Sequence, residues 1–142
     1  EVQLPFIAYF SKKIKIVPIV ILSASINECR MLGEGIAKAA KRVGYPVVVA
    51  ASSDMSHYVP DNVARQKDRK AIDEILSLNP DGLYEIVLKE RISMCGYLPT
   101  TAMLFAAKAL GAKSARLVKY STSAEVSGDY DHVVGYAGIV LR

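Results

Sequence analysis

Between Lys15 and Ala51 the sequence sets out a strand, a helix and a second strand in close succession, and this unit restricts the fold more than any other stretch. Lys15 to Leu22 is rich in β-branched residues (Ile16, Val17, Ile19, Val20, Ile21) and predicts a buried strand. Ser25-Ile26-Asn27-Glu28 has the S-x-x-E spacing of a capping box, in which the serine and glutamate satisfy each other's backbone N–H groups. Cys29, Leu32, Ile36, Ala39, Ala40 and Val43 then recur every three or four residues, with Gly44 placed to cap the helix and Pro46 to stop it. Val47 to Ala51 follows as a short continuous apolar run, the pattern of a strand buried on both faces.

The rest of the chain continues the alternation. Glu1 to Phe10 has helix-like apolar spacing, with Pro5 favouring a late start. Asp61 to Leu78 predicts a polar-faced helix with Ala64, Ala71, Ile72, Ile75 and Leu78 inward. Asn79-Pro80 opens another, to about Lys89, and Thr100 to Leu110 a third, closed by Gly111. Ala115 to Tyr120 and Val133 to Leu141 read as strands. With no repeat or Gly/Ser linker, residues 1–142 form one domain portion of the α/β class, a layered mixed sheet with helices on both faces. In such folds the chemistry sits on loops beyond the carboxyl ends of strands.

Charge and cysteine usage exclude several classes. The 18 basic and 14 acidic residues are interspersed, and the densest cluster, Arg65 to Lys70, is followed at once by Asp73-Glu74. That is a solvated helix face laced with i,i+4 pairs, not a nucleic-acid surface. The longest apolar run, Ile14 to Ile26, is broken by Lys15 and Pro18 and falls short of the roughly 18 residues a bilayer requires. A soluble, cytoplasmic protein is expected, with no membrane partner. Cys29 and Cys95 are too few for a disulfide scaffold and are expected as thiols, Cys29 on the apolar face of its helix.

Three stretches concentrate reactive side chains. Ser52-Ser53-Asp54-Met55-Ser56-His57-Tyr58 follows the apolar run Val47 to Ala51. A carboxylate three residues before a histidine can orient the imidazole or share a metal with it, or the loop can simply cap the next helix. Ile92 to Pro99 places Cys95 ahead of a helix starting near Pro99 or Thr100, where the positive helix end favours thiolate. Gly96 would admit a substrate or another backbone closely, and Cys95 can equally be a buried structural thiol. Tyr120 to His132 is a hydroxyl- and acid-rich loop, a lid or a plain connection, with His132 read as structural. One His, one Cys and one Asp make a thin metal site, since such sites usually have three or four protein ligands.

Taken in order, Glu1 to Phe6, Ser52 to Tyr58, Ile92 to Tyr97, and Ser127-Gly128-Asp129 with Val134 to Gly138 resemble the motifs of Memo proteins, whose microbial members are labelled AmmeMemoRadiSam system protein B. The resemblance spans nearly the whole chain. It implies a fold similar to class III extradiol dioxygenases, which hold non-haem iron with two histidines and a carboxylate. It also implies that Cys95 is a metal ligand, that His57 matches the acid/base histidine, and that Asp54 is the accompanying carboxylate. Ser53, Tyr58, Gly96 and Tyr97, beside them, are expected on the substrate side. The family's two ligand histidines precede its EVQLP-like segment, so an N-terminal part of the same protein, cleaved or separate, is the expected partner.

The activity implied is that of a metal-dependent redox or dioxygenase-like protein using iron or copper, the thiolate pulling preference toward softer ions. The alternative is a non-enzymatic adaptor that binds a peptide or small ligand in the same pocket, although the sequence has no arginine cluster for phosphate. A Cys95–His57 hydrolase is a third, weaker reading. The family label also implies work alongside a radical SAM protein and an AMMECR-type domain.

Overall fold

A computed structural model describes residues 2–142. The helices are α1 (Leu4–Phe10), α2 (Ile26–Arg42), α3 (Asp61–Leu76), α4 (Pro80–Lys89), α5 (Tyr97–Leu110) and the single turn α6 (Ala124–Ser127). The strands are β1 (His57–Val59), β2 (Ala115–Thr122) and β3 (Val133–Leu141). They form an antiparallel sheet in the order β1-β3-β2, and the chain is an α/β layered fold.

Local signals place most helix ends. The Ser25 hydroxyl accepts from the Glu28 N–H at 3.3 Å, and the Glu28 carboxylate accepts the Ser25 N–H at 2.7 Å, completing the capping box of α2. At the other end Val43, not Gly44, is the cap; it turns extended (φ −82°, ψ 139°), so no left-handed glycine is needed. Asn79 caps α4 through the Gly82 N–H at 3.1 Å, and Gly111 closes α5 at φ 99°. Helix α5 begins at Tyr97, two residues earlier than Pro99 suggested, because proline is tolerated in a first turn whose N–H groups have no helical partner.

The core sits between the sheet and α3, α4 and α5. Ala71, Ile72 and Ile75 of α3, Leu83 and Val87 of α4, and Leu104 of α5 are buried with Met55, Ile92 and Met94. Leu117, Ala137, Ile139 and Leu141 pack on them from one sheet face, whereas Val118, Tyr136 and Val140 on the other are exposed. Helix α2 lies along α5, with Cys29 buried beside Leu98, Ala102 and Phe105, as its apolar-face position predicts.

Two expected strands are not formed. Lys15 to Leu22 and Val47 to Ala51 pair with no described residue, and Val20 (93%), Leu22 (97%) and Val48 (89%) are almost fully exposed. A strand exists only when a neighbour takes its N–H and C=O groups, and no described segment lies alongside to do so. No described helix is long and apolar enough to cross a membrane.

Candidate metal centre

The Ser52–Tyr58 stretch is tied to β3 rather than to a strand of its own. Met55 N–H donates to Gly135 O at 2.8 Å and Gly135 N–H to Ser56 O at 2.9 Å, carrying the ladder into β1. His57 pairs with Val134 and Val59 with Val133, leaving Tyr58 as an extra residue in a β-bulge. Tyr58 adopts φ 55°, a left-handed backbone that costs a side-chain-bearing residue about 1–2 kcal/mol. Its ring is exposed and 6.0 Å from the His57 ring.

Cys95 arrives from the other motif, one residue before Gly96, the N-cap of α5. The two motifs dock through Ser53 and Gly96. The Gly96 N–H donates to the Ser53 hydroxyl at 2.8 Å, which in turn donates to Asp54 O at 2.7 Å. A Cβ on Gly96 would stand 2.5 Å from both Ser52 O and the Ser53 Cβ, so only glycine admits this approach. The close neighbour allowed by Gly96 is thus the Ser52–Ser53 segment itself.

This docking brings Asp54, His57 and Cys95 together, one ligand atom of each lying within 4.8 Å of the others. His57 Nε2 is 3.6 Å from Asp54 Oδ2, and the Asp54 N–H points at Cys95 Sγ from 3.3 Å, with Ser53 Oγ at 3.9 Å. The Asp54 N–H is thus directed at a sulfur that lies just before the amino end of a 14-residue helix. Cys95 is exposed and free.

A carboxylate oxygen, an imidazole nitrogen and a sulfur grouped in this way could hold a metal ion. Bonds of about 2.0–2.3 Å would set tetrahedral ligands roughly 3.3–3.8 Å apart, so the donors fit a metal after a small contraction. Three donors leave at least one position for another ligand. A cavity of about 250 Å³ lined by Arg65, Arg69, Ile72, Leu117 and Tyr120 contains none of the three.

The remaining expected residues divide. Ser53 and Gly96 meet beside Cys95, and the exposed Tyr58 ring lies next to the His57 ring. Tyr97 packs its ring 5.8 Å from Tyr84, and burial pushes its phenol above the ordinary range. His132 lies outside the cluster, its N–H donating to Asp129 at 3.2 Å.

Sequence reasoning missed two groups. Asp68, read with the solvated charges of α3, is fully buried; it accepts the Ser56 N–H at 2.9 Å and the Tyr120 hydroxyl at 2.7 Å. Burial and that carboxylate push the Tyr120 phenol well above its usual range. Ser93, two residues before Cys95, accepts the His57 N–H through its hydroxyl at 2.7 Å. No periodicity could have indicated either; both matter through partners far along the chain.

Comparison with known proteins places this chain in a family. The family model described as Memo-like protein matches residues 1–140. A MEMO1 family protein of Methanopyrus kandleri is 45% identical over 143 residues, covering 100% of this chain and 50% of that protein. Its counterpart in Methanocaldococcus jannaschii is 46% identical, covering 100% of this chain and 51% of its own length. One from Pyrobaculum aerophilum is 46% identical over 141 residues. The chain spans about half the length of the curated relatives it matches. By the breadth of the family match and the convergence of its two motifs at one site, the chain belongs to the Memo family.

Proposed function

We propose that this chain carries one wall of a metal site that performs redox chemistry of the dioxygenase-like kind, with iron or copper as the ion. The observation that carries the reading is the convergence of Asp54, His57 and Cys95 within 4.8 Å. Cys95 holds the ion, with Asp54 within reach of it. An ion held there would supply electron transfer and Lewis acidity. His57 takes up and returns a proton at Nε2, and the Asp54 carboxylate 3.6 Å away stabilises the charged ring. Tyr58 meets the incoming small molecule or peptide, while Ser53 and Gly96 shape the wall and Tyr97 supports it from the core side through Tyr84. A free cysteine exposed on a surface keeps its reduced form in a cytoplasmic setting.

A further polypeptide segment, joined to this chain or separate, completes the site. Two features support it: the unpaired apolar runs 15–22 and 47–51, and relatives twice as long as this chain. That segment pairs with the open runs and brings the histidine ligands. A denaturing mass measurement of the protein purified from its cell checks this, since a mass equal to residues 1–142 alone contradicts it.

Metal analysis tests the centre itself. The wild-type protein is expected to retain iron or copper and Cys95→Ala to lose it, with His57→Ala keeping metal but losing turnover. Metal in neither protein would sink the reading and leave the pocket to a non-enzymatic peptide or small-ligand binder.

A further inference from the structure

We infer that Ser93 is a positioning residue that determines which nitrogen of His57 faces Asp54 and Cys95. His57 Nδ1 lies 2.7 Å from the Ser93 carbonyl oxygen. A carbonyl oxygen has no proton to give, so a contact this short requires the hydrogen on Nδ1. The neutral ring then carries its lone pair on Nε2, the atom 3.6 Å from Asp54 Oδ2. That separation is itself longer than a hydrogen bond, in keeping with an Nε2 that bears no hydrogen. Imidazole side chains in water prefer the opposite form, with hydrogen on Nε2, so the protein imposes the choice.

The Ser93 side chain makes the imposition possible. Its hydroxyl accepts the His57 N–H at 2.7 Å and lies 3.3 Å from His57 O, so one residue braces the His57 backbone at both ends and the ring in the middle. The brace falls where the backbone most needs one. Tyr58 next door is the extra residue of the bulge and sits at φ 55°, which by itself favours relaxation to ordinary strand geometry. Relaxation would swing the His57 ring away from the Ser93 carbonyl. Ser93 therefore holds His57 in the orientation and the tautomer in which Nε2, not Nδ1, faces Asp54.

The inference rests on the proposed role of His57 Nε2, and its test separates the two. The chain has two histidines, so His132→Gln isolates the His57 signals in long-range ¹H–¹⁵N spectra of the chelator-treated protein at a pH where the ring is neutral. Wild-type protein is expected to show hydrogen on Nδ1 and a bare Nε2. Ser93→Ala is expected to shift the population toward hydrogen on Nε2 with the rest of the spectrum retained, and Ser93→Thr, which keeps the hydroxyl, to restore the wild-type pattern. Hydrogen on Nε2 in the wild type, or an unchanged pattern in Ser93→Ala, overturns the inference. The expected tautomer in a protein that never holds metal would leave Ser93 as the positioning residue and remove the metal reading instead.

Discussion

Replacing Gly96 by Ala adds one methyl group at the point where the two motifs of the metal centre touch. That Cβ would stand 2.5 Å from Ser52 O and from the Ser53 Cβ, and 2.8 Å from Ser53 Oγ, whereas ordinary contact begins at 3.4 Å. The Ser52–Asp54 segment or the start of α5 must therefore retreat by almost an ångström. Gly96 sits at φ −104°, which alanine adopts freely, so the cost is collision and not backbone strain. Overpacking of this kind costs about 1–3 kcal/mol. The retreat would also stretch the Gly96–Ser53 hydrogen bond (2.8 Å) and the Asp54 N–H to Cys95 Sγ contact (3.3 Å) that hold the cluster. Disturbing contacts that orient ligands typically lowers metal affinity about 10–100-fold. Gly35→Ala is the internal control: Gly35 lies mid-helix in α2 with nothing within 4 Å of its Cβ position. There the same methyl should stabilise by about 0.5–1 kcal/mol. Urea unfolding should thus move the two midpoints in opposite directions, while zinc titration against a chelator weakens in Gly96→Ala alone. A Gly96→Ala midpoint at or above wild type, with unaltered zinc affinity, would refute the claim that this close approach builds the site.

Asp68→Ala removes the acceptor of the buried Ser56 N–H and Tyr120 hydroxyl; each orphaned donor costs about 1–3 kcal/mol, read as a lower urea midpoint, with Tyr120→Phe costing less. Acid stability follows from Glu28 and Asp61. Glu28 is held below its ordinary value near 4.5 by the Ser25 N–H and then the Ser25 hydroxyl, and Asp61 below its own by Arg65 and Thr122. A depressed carboxylate contributes stability above its unfolded value and loses it as pH falls through the folded one. The stability of Glu28→Gln, followed by unfolding at a series of pH values, should accordingly fall less steeply below about pH 4.5 than wild type; an identical acid limb would mean the capping box is not formed.

The features legible in the sequence are those whose partners lie within a few residues. Ser25 with Glu28, Asn79 with Gly82 and Gly111 at the end of α5 are closed within one turn, and each is where its spacing predicted. Asp68 and Ser93 escaped because their partners are distant: Tyr120 is 52 positions from Asp68, and His57 is 36 from Ser93. In the string Arg65 to Lys70 an aspartate reads as one more surface charge, and nothing local tells a buried acceptor from a solvated one. Asp54, His57 and Cys95 stand between these cases. Each motif announced chemistry, but only the resemblance brought them together, and the fold does so through a glycine whose missing side chain has no hydrophobic signature.

The unpaired apolar run and the thin ligand set concern adjacent residues. Val47 to Ala51 has strand composition with Val47 and Val48 exposed, and Ser52 to His57, immediately after it, carries two of the three clustered groups. A strand paired with 47–51 would bring its own backbone within a few residues of Asp54 and of the Ser53–Gly96 contact. The proposal that another segment completes the sheet and the proposal that it completes the metal site are therefore one geometric statement. Protection of the 47–51 amides from hydrogen exchange should rise together with metal retention when that segment is present. Metal retention with these amides still unprotected would divide the two and place the additional ligands elsewhere.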